Sequence, residues 1–441
     1  MRSGSPTKQF IRSPKRDSSS QLGKAGWFPY YAGFSCAFVE DAIQYANDIG
    51  CATRVLDSWN GSGTTTQVAH SKGLQVDGFD LNPAMLVVAK AKLLDSTVYG
   101  SISSLLDDIC TKARGCKPDL HQDPLQSWFT DKSVVPFRRI DRAISTLLID
   151  SKEYSPLASR PSLRLISPLA CFFYVALFRS LRACLTPFFG SNPTWVRQAP
   201  TDEEKVSIAL EDLVTIFRRE VELMLPALKP QIPTIQPADV QASVDIAESS
   251  SLPVPDSIYD IVVSSPPYCT RIDYAVKTRP ELAILGLDDA RFRSLRDQML
   301  GTPTIPRVTH EASDNWGTYC NRMLGRIKRH PSRASASYYW KTFVQYFDAL
   351  HRSIGELGRV LKPQGLCFLV VQDSYYKNIH VDLARIVNDM AQAAGMQLRE
   401  QLDFPTNRTM VGLNSAARSY KEKRDQAESV LIWEKNTEHV S

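Results

Sequence analysis

The sequence predicts an α/β protein built on a doubly wound, mostly parallel sheet of seven strands. Two observations support this fold class. Short β-branched runs alternate with helix-like segments, which is the pattern of parallel strands joined by crossover helices. In addition, the first two predicted strands each end in an acid, Asp57 and Asp80, beside a glycine-rich turn. Open α/β sheets bind ligands beyond the carboxyl ends of their strands, so a site is expected there.

The first two strands and helices occupy residues 53–95. The run “TRVLDSW” predicts a strand, and “NGSGTTTQVAHSKG” predicts a glycine turn that opens a helix. A second strand, “LQVDGFDLNP”, and a second helix, “AMLVVAKAKLL”, follow directly. Further strands are expected in “ASVDIA”, “IYDIVVS” and “LCFLVVQDS”. The last two, “LREQLDF” and “ESVLIWE”, have no helix between them and are therefore expected to pair antiparallel.

The composition is that of an ordinary globular protein. The 441 residues carry a formal net charge of +5, and the nine cysteines form no Cys-x-x-Cys pair. Reduced thiols in a cytoplasmic protein are therefore expected, and a zinc site is not. The longest apolar run, residues 165–178, contains Pro168 and is too short to span a bilayer, so it predicts a buried helix.

Positive charge is concentrated in two stretches. Residues 1–26 carry six cations against Asp17 and are expected to form a disordered basic leader, either on phosphates or in solvent. A second stretch, “RMLGRIKRHPSR”, lies inside the chain. Within it Arg326, Lys328 and Arg329 are candidates to contact nucleic-acid phosphates, and a plain solvated helix is the alternative.

The glycine turn after the first strand is a candidate cofactor cradle. Gly61 and Gly63 leave room for a ligand to approach the backbone, and Thr64 opens the following helix. Asp80 is placed to accept hydrogen bonds from ribose hydroxyls. A dinucleotide-binding motif would need a third small residue where Thr66 stands, so that motif is incomplete. A tight turn that binds nothing is the alternative interpretation.

The segment “VVSSPPYCTRIDYA” ends the fourth predicted strand abruptly. Pro266 and Pro267 donate no backbone hydrogen bond and fix φ, so the strand must stop there. What remains is a rigid elbow whose carbonyls point outward, with Ser265 before it and the ring of Tyr268 after it. Such an elbow suits a planar ligand that carries an amine, although it could also serve only to end a strand.

The two motifs occur together in a known family. “VLDSWNGSGTTTQVA” with “GFDLNP”, followed by “DIVVSSPPY”, resembles the DNA amino-methyltransferases in which the half that binds S-adenosylmethionine (SAM) comes first. These enzymes transfer the methyl group of SAM to the exocyclic amine of cytosine or adenine. The resemblance covers residues 27–95 as the SAM-binding half, 241–275 as the catalytic segment and 338–435 as the remainder of one domain. It implies a Rossmann-like methyltransferase sheet with insertions at 96–240 and 276–337.

The resemblance also implies roles for individual residues. The catalytic elbow would be Ser265 to Tyr268: the serine and the Pro266 carbonyl would bind the amine hydrogens, and Tyr268 would stack on the base. Positioning would be the main catalytic device, without a covalent nucleophile. The residues implied to hold SAM are Tyr30 in “WFPYYAGFS”, Asp57, Gly61, Gly63, Thr64, Asp80 and an acid at the tip of the third strand. That acid is Asp245 or Glu248, and counting back from the next turn favours Glu248.

The two insertions are expected to differ in purpose. The segment 276–337 begins beside the elbow and contains the cationic stretch, so it is the favoured target-recognition part. The segment 96–240 is predicted to be helical and to serve structure or partners. A base inside a duplex cannot reach such an elbow, so a flipped base or a single-stranded DNA substrate is implied. Restriction or defence partner proteins are typical of the family; a membrane partner is not expected.

Four functions remain open at this point. In the family, an elbow that begins with serine occurs chiefly with cytosine N4 as the target, which favours N4-methylcytosine in DNA. N6-methyladenine is the first alternative, since Asp or Asn usually begins its elbow. An RNA guanine-N2 methyltransferase has a similar elbow that usually begins with Asp, so Ser265 argues against it. A subunit that binds SAM or nucleic acid without turnover is disfavoured by the complete set of motifs.

Overall fold

A seven-stranded sheet in the order β3-β2-β1-β4-β5-β9-β8 forms the centre of the molecule. The computed structural model describes residues 11–16, 22–30, 33–50, 53–116, 122–150, 156–157, 161–190, 195–230, 240–269, 273–305, 311–405 and 427–437. The sheet strands are β1 (Arg54–Asp57), β2 (Gln75–Phe79), β3 (Ala242–Asp245), β4 (Tyr259–Ser264), β5 (Leu361–Gln372), β8 (Met396–Pro405) and β9 (Ala427–Lys435). A separate hairpin pairs β6 (Ser374–Tyr376) with β7 (Ile379–Val381).

The pairing of the strands confirms the predicted fold class. β3, β2, β1, β4 and β5 are parallel neighbours. β9 lies antiparallel between β5 and β8, so the expected antiparallel end of the sheet is also confirmed. The strand order reverses beside β1, because the chain moves outward to β2 and β3 and then returns to β4. In doubly wound sheets such a switch point opens the crevice in which ligands bind.

Several helices begin at a residue whose side chain caps the first turn. The helices of the described residues are α1 (Cys36–Asp48), α2 (Thr64–Ser71), α3 (Pro83–Lys92), α4 (Ile102–Gly115), α5 (Asp131–Leu148), α6 (Pro168–Cys184), α7 (Leu210–Met224), α8 (Tyr274–Lys277), α9 (Arg279–Ile284), α10 (Asp289–Gln298), α11 (Thr318–Arg329), α12 (Trp340–Val360) and α13 (Leu383–Ala393). Ser35 accepts from the Phe38 N–H at 3.2 Å, and Asn82 accepts from the Ala84 N–H at 3.0 Å. The Asn82 cap starts α3 directly after the tip of β2, which brings that helix under the predicted site.

Both faces of the sheet are covered by helices. In β4, Ile261 and Val263 pack with α1 and α2, whereas Val262 packs on the opposite side with α12 and α13. β5 and β9 alternate in the same way. Because successive side chains of a strand point to opposite faces, a strand buried on both sides must be apolar throughout. This burial explains the unbroken run “DIVVS” before the elbow.

The long apolar run forms the buried helix that the sequence predicts. Residues 170–178 of α6 are all buried, in a core that also contains α4, α5 and α7. Within the described ranges, no helix is both long enough and apolar enough to cross a membrane. The first insertion is therefore a helical unit assembled around α6.

Buried polar contacts join this helical unit to the segment after the elbow. Arg138 of α5 is 3% exposed and pairs with Asp123 at 2.6 Å and with Asp141 at 3.0 Å. The same guanidinium donates to the carbonyls of Ala283, at 2.7 Å, and Ile284, at 2.5 Å, in the last turn of α9. A buried charge is tolerated only where it is paired and hydrogen-bonded. Arg138 therefore fixes α9 against the first insertion.

The segment 276–337 is divided between two cores. Its first part, α8 to α10, shares the core of the first insertion. Its last part, α11, packs with α12 and α13 on one face of the sheet. The segment therefore packs into two different cores and does not form a unit of its own.

Part of the basic leader is ordered, which corrects the expectation of a disordered segment. Ile11 is buried in the core beneath α1. Arg12 binds Asp41 of α1 at 2.7 Å, and Arg16 donates to the Tyr30 carbonyl at 2.8 Å. A count of charges reveals neither a single anchoring isoleucine nor the carboxylates and carbonyls that bind these arginines. Residues 1–10 and 17–21 lie outside the described ranges.

Candidate active site

A cleft opens at the carboxyl ends of the parallel strands, where the strand order reverses. Its volume is about 1020 Å³, including the part that is open to solvent. The predicted site residues that line it are Tyr30, Asp57, Gly61, Thr64, Asp80, Glu248, Ser265, Pro266, Pro267 and Tyr268. The tertiary structure therefore brings the glycine turn and the proline elbow together in one site.

The glycine turn is held by close packing beneath this cleft. Gly61 has a φ of +46° and Gly63 a φ of +78°, backbone conformations that favour glycine. A Cβ on Gly63 would lie 2.6 Å from the Cβ of Ala89 in α3. Gly63 is not among the residues that line the cleft, so its contact with the cofactor stays a prediction. Its missing Cβ makes room for α3, and Gly61 is the glycine that faces the cleft.

Asp80 is half-buried at the tip of β2. Its two carboxylate oxygens accept from the backbone N–H groups of Gly61 and Asn82, both at 2.8 Å. Burial raises the pKa of Asp80 to about 6, although these two hydrogen bonds act against the rise. The bonds hold the carboxylate in place, and each oxygen can still accept another donor. Ribose hydroxyls fit this position.

Asp57 links the glycine turn to the strand that carries the elbow. The side chain is 1% exposed, and its Oδ1 accepts from the Ser264 hydroxyl and from the Trp59 N–H at 3.2 Å. Burial raises the pKa of Asp57 to about 7, because the hydrogen bonds only partly replace the lost hydration. Since it lines the cleft, this carboxylate is a suitable partner for the α-ammonium group of SAM.

Glu248, and not Asp245, reaches the cleft after the third strand. Asp245 forms an ion pair with Arg164 at 3.1 Å. Glu248 lines the cleft together with the small residues Ala247 and Ser249. β3 ends at Asp245, so the chain must turn before an acid can face the ligand. The sequence favoured Glu248 over Asp245, and this placement agrees with that choice. Strand phase alone could not decide between the two acids.

Tyr30 forms a wall of the cleft beside the glycine turn. A Cβ on Gly61 would lie 3.0 Å from Tyr30 Cε1, so the tyrosine ring covers this glycine. The Nζ of Lys277 lies 5.7 Å from the centroid of the same ring. Burial raises the pKa of the Tyr30 hydroxyl well above its usual value, which keeps the ring neutral. Tyr30, Gly33 and Phe34 of the segment “WFPYYAGFS” line the cleft.

Hydrogen bonds fix the elbow and decide which of its atoms remain available. The Ser265 hydroxyl donates its proton to the Val370 carbonyl of β5 at 2.9 Å, so its lone pairs remain as acceptors. The Pro267 carbonyl accepts from the Tyr346 hydroxyl at 2.8 Å. Among the described residues, none donates to the Pro266 carbonyl. The elbow therefore offers two acceptors to an amine, the Ser265 Oγ and the Pro266 carbonyl.

Tyr268 is held at its backbone and at its hydroxyl. Its backbone N–H donates to the Tyr274 hydroxyl at 3.2 Å, and its own hydroxyl donates to Glu428 at 3.0 Å. The residue lines the cleft next to the elbow. An aromatic ring fixed beside two acceptors can stack on a base whose amine these acceptors bind.

Sequence reasoning missed another part of the cleft wall. The residues concerned, from the end of α10 and from α12, are Gln298, Met299, Leu300, Ala349 and Ser353. An ion pair between Arg296 and Asp273, at 2.5 Å, joins α10 to the residue that caps α8 after the elbow. No motif marks these residues. The only signal was indirect, namely that the segment 276–337 begins beside the elbow.

The predicted phosphate-contacting residues lie outside the cleft, on α11. This helix buries its apolar side against the core, and it exposes four cations, Arg322, Arg326, Lys328 and Arg329. Lys328 lies 4.4 Å from the centroid of the Trp340 ring. No ion pair of these four is found in the described parts of the chain, whereas the exposed Arg114 and Arg197 are each paired with a glutamate. The positive charge of α11 is therefore uncompensated.

The fold and the site together define a SAM-dependent methyltransferase. The seven-stranded sheet has its strand-order reversal at the cleft, and the cleft brings together the carboxylates of Asp57 and Asp80 and the Ser265–Tyr268 elbow. No protein-family model matches the chain.

The chain is similar to type II methyltransferases. M.MvaI from Kocuria varians is 22% identical over 361 residues, which cover 76% of this chain and 74% of that protein. M.BsoBI from Geobacillus stearothermophilus is 23% identical over 285 residues, 62% of this chain and 55% of that protein. M.AvaI from Anabaena variabilis is 26% identical over 188 residues, 40% of this chain and 38% of that protein. These relatives confirm the resemblance at the level of type II methyltransferases.

A solved structure is similar only at a low score. The rRNA methyltransferase AviRa from Streptomyces viridochromogenes has a TM-score of 0.30 at 12% identity, with 96% of each chain covered. A score of this size carries no argument about substrate.

We expect the affinity for SAM to rise with pH. In the free protein the pKa values of Asp57 and Asp80 are raised to about 7 and about 6. A cation and hydroxyl donors favour the ionised carboxylates, so binding must displace protons at acidic pH. The dissociation constant should therefore fall from about pH 5 to about pH 8, which calorimetric titration measures. In Asp57→Asn protein the dissociation constant for SAM should change less with pH around pH 7, where Asp57 ionises.

The stability of the folded protein without SAM should change with pH in the opposite direction. Both folded-state pKa values lie above the usual 3.8, so these groups favour the folded protein at acidic pH. That contribution is lost as the pH rises through about 6 and about 7. The increase in melting temperature caused by SAM should consequently grow with pH. An affinity for SAM that is constant over this range would contradict the proposed contacts.

Proposed function

We propose that the protein transfers the methyl group of SAM to the exocyclic amine of a DNA base, and that the base is cytosine, methylated at N4. The observation that carries the proposal is the elbow. Its two available acceptors, on Ser265 and Pro266, lie beside the anchored ring of Tyr268 in the cleft that also contains Asp80.

The chemistry follows from the weakness of the nucleophile. The lone pair of a cytosine or adenine amine is delocalised into the ring. Acceptors that bind both amine hydrogens draw this lone pair out of conjugation and aim it into the cleft. When bound, SAM supplies a methyl group on a positively charged sulfur: the N–C bond forms as the C–S bond breaks, S-adenosylhomocysteine is the leaving group, and the methylated amine releases one proton to solvent. The protein contributes position and hydrogen bonding, so no covalent nucleophile is required; Cys269 is 8% exposed and follows the tyrosine without a role in this scheme.

Cytosine is favoured by the first residue of the elbow. A neutral hydroxyl accepts a hydrogen from the amine but adds no charge near the developing ammonium, unlike the carboxylate that the family pairs with adenine. The Ser265 hydroxyl also donates its proton to the Val370 carbonyl, so its orientation as an acceptor is set before a base enters. The type II methyltransferases among the relatives support DNA as the substrate.

The product itself tests the proposal. The purified protein should convert unmethylated DNA and SAM to DNA that contains N4-methylcytosine, detected by nucleoside digestion and mass spectrometry. Ser265→Ala protein serves as the control for contaminating activity. N6-methyladenine as the sole product would overturn the choice of base and leave the cofactor site intact. Methylation of RNA alone would overturn the substrate class.

The exposed cations of α11 predict how DNA is held. Replacing Arg326, Lys328 and Arg329 together with alanine should weaken binding to all DNA sequences, because each cation that contacts a phosphate releases counterions. The slope of log affinity against log salt should fall by about two to three, measured by fluorescence anisotropy.

A matched triple variant controls for the change in net charge. Arg114, Arg197 and Arg218 are paired with carboxylates on the first insertion, so their replacement should leave the salt slope unchanged. If the α11 variant loses affinity for one sequence only, with its salt slope intact, α11 reads bases and does not contact phosphates.

A further inference from the structure

The ring of Tyr268 is held by a residue from the far end of the chain. Glu428 follows the first residue of β9, which is antiparallel to β5, so it lies beside the carboxyl end of β5 opposite Gln372. Its Oε1 accepts the Tyr268 hydroxyl at 3.0 Å. Glu428 is half-buried, and burial raises its pKa while the bond from Tyr268 opposes the rise. The contact is therefore a hydrogen bond to a carboxyl group that is partly shielded from water.

We propose that Glu428 is a positioning residue for methyl transfer and acts through Tyr268. This inference rests on the function proposed above. The phenol oxygen lies on the long axis of the ring, so its bond to Glu428 fixes the direction of that axis. The backbone N–H of Tyr268 is bound to Tyr274 at the other end. Two anchors thus hold the ring ready to receive the base.

The carboxylate also changes the ring electronically. A phenol that donates to a carboxylate carries more electron density on its ring. Aromatic faces attract positive charge, and the amine becomes positive as the methyl group is transferred. The bond to Glu428 should therefore matter more in the transition state than when the base first binds, so kcat is the parameter expected to change.

A double-mutant cycle on kcat tests the inference. Tyr268→Phe keeps the ring and removes the hydroxyl, whereas Glu428→Ala removes the acceptor. Each should lower kcat about tenfold, the size expected when a hydrogen bond to a charged group is lost, with SAM affinity unchanged. The double variant should be no slower than either single variant, because both changes break one contact. Glu428→Gln keeps an acceptor oxygen and should recover most of the rate.

Glu434 provides the matched control on the same strand. It binds Arg399, and Glu434→Ala should leave kcat unchanged. Losses that multiply in the double variant would overturn the inference, as would a folded, fully active Glu428→Ala protein. If Glu428→Ala does not fold, Tyr268→Phe and Glu428→Gln still decide, since a slow Glu428→Gln or a fully active Tyr268→Phe protein contradicts it. Wild-type protein that transfers no methyl group to DNA would overturn the proposed function, and this inference with it.

Discussion

Replacing Ser265 with alanine should lower the rate of methyl transfer by about 10²-fold to 10³-fold, the loss typical of removing one preorganised hydrogen-bonding group from a transition state. The Ser265 hydroxyl is oriented by Val370 and is one of two acceptors left to the amine. Without it, the lone pair of the amine stays conjugated with the ring. SAM should bind as before, because the glycine turn and Asp80 are untouched. Single-turnover transfer at saturating SAM, with SAM affinity measured by calorimetry, separates the two effects.

Ser251→Ala is the control for this variant. Ser251 is exposed in the loop before β4 and forms no part of the cleft lining. Its replacement should leave the rate unchanged. A Ser265→Ala protein that transfers methyl groups at the wild-type rate would show that the elbow does not hold the amine through this serine.

Replacing Asp80 with alanine should weaken SAM binding by about 1–3 kcal/mol, since ribose hydroxyls would lose a charged acceptor. The variant also removes the acceptor of the Gly61 and Asn82 N–H groups, so the glycine turn loses the contacts that shape it. The effect should appear in the dissociation constant for SAM and in KM for SAM. At saturating SAM, transfer to the base should recover, because Asp80 does not touch the elbow.

Two further variants separate the roles of this acid. Asp80→Asn removes the charge but keeps one acceptor oxygen, so one of the two backbone N–H groups stays bonded; it should disturb the glycine turn less than Asp80→Ala and still bind SAM more weakly. Asp107 is exposed on α4 and pairs with Arg218, so Asp107→Ala should leave SAM binding unchanged. An unchanged SAM affinity in folded Asp80→Ala protein would place the ribose elsewhere.

The sequence by itself determined the fold class and the two motifs that build the site. Alternating apolar runs specify strands and helices locally, and the carboxyl ends of parallel strands must share one edge of the sheet. The glycine turn with Asp80 and the elbow with Ser265 depend on residue type, because glycine favours the positive φ at Gly61 and two successive prolines remove the backbone donors that would continue the strand. Such features can be predicted without knowledge of the neighbours.

Only the tertiary structure decided which residues meet. The turn after β3 places Glu248 in the cleft, whereas Asp245 forms an ion pair with Arg164. Close packing against Ala89 accounts for the glycine at position 63, and the burial of Ile11 anchors the described part of a leader whose composition predicts disorder. Glu428 contacts Tyr268 across 160 positions of the chain because β9 returns antiparallel beside β5. Contacts of this kind depend on strand register and on the packing of distant segments, which no local pattern of residues encodes.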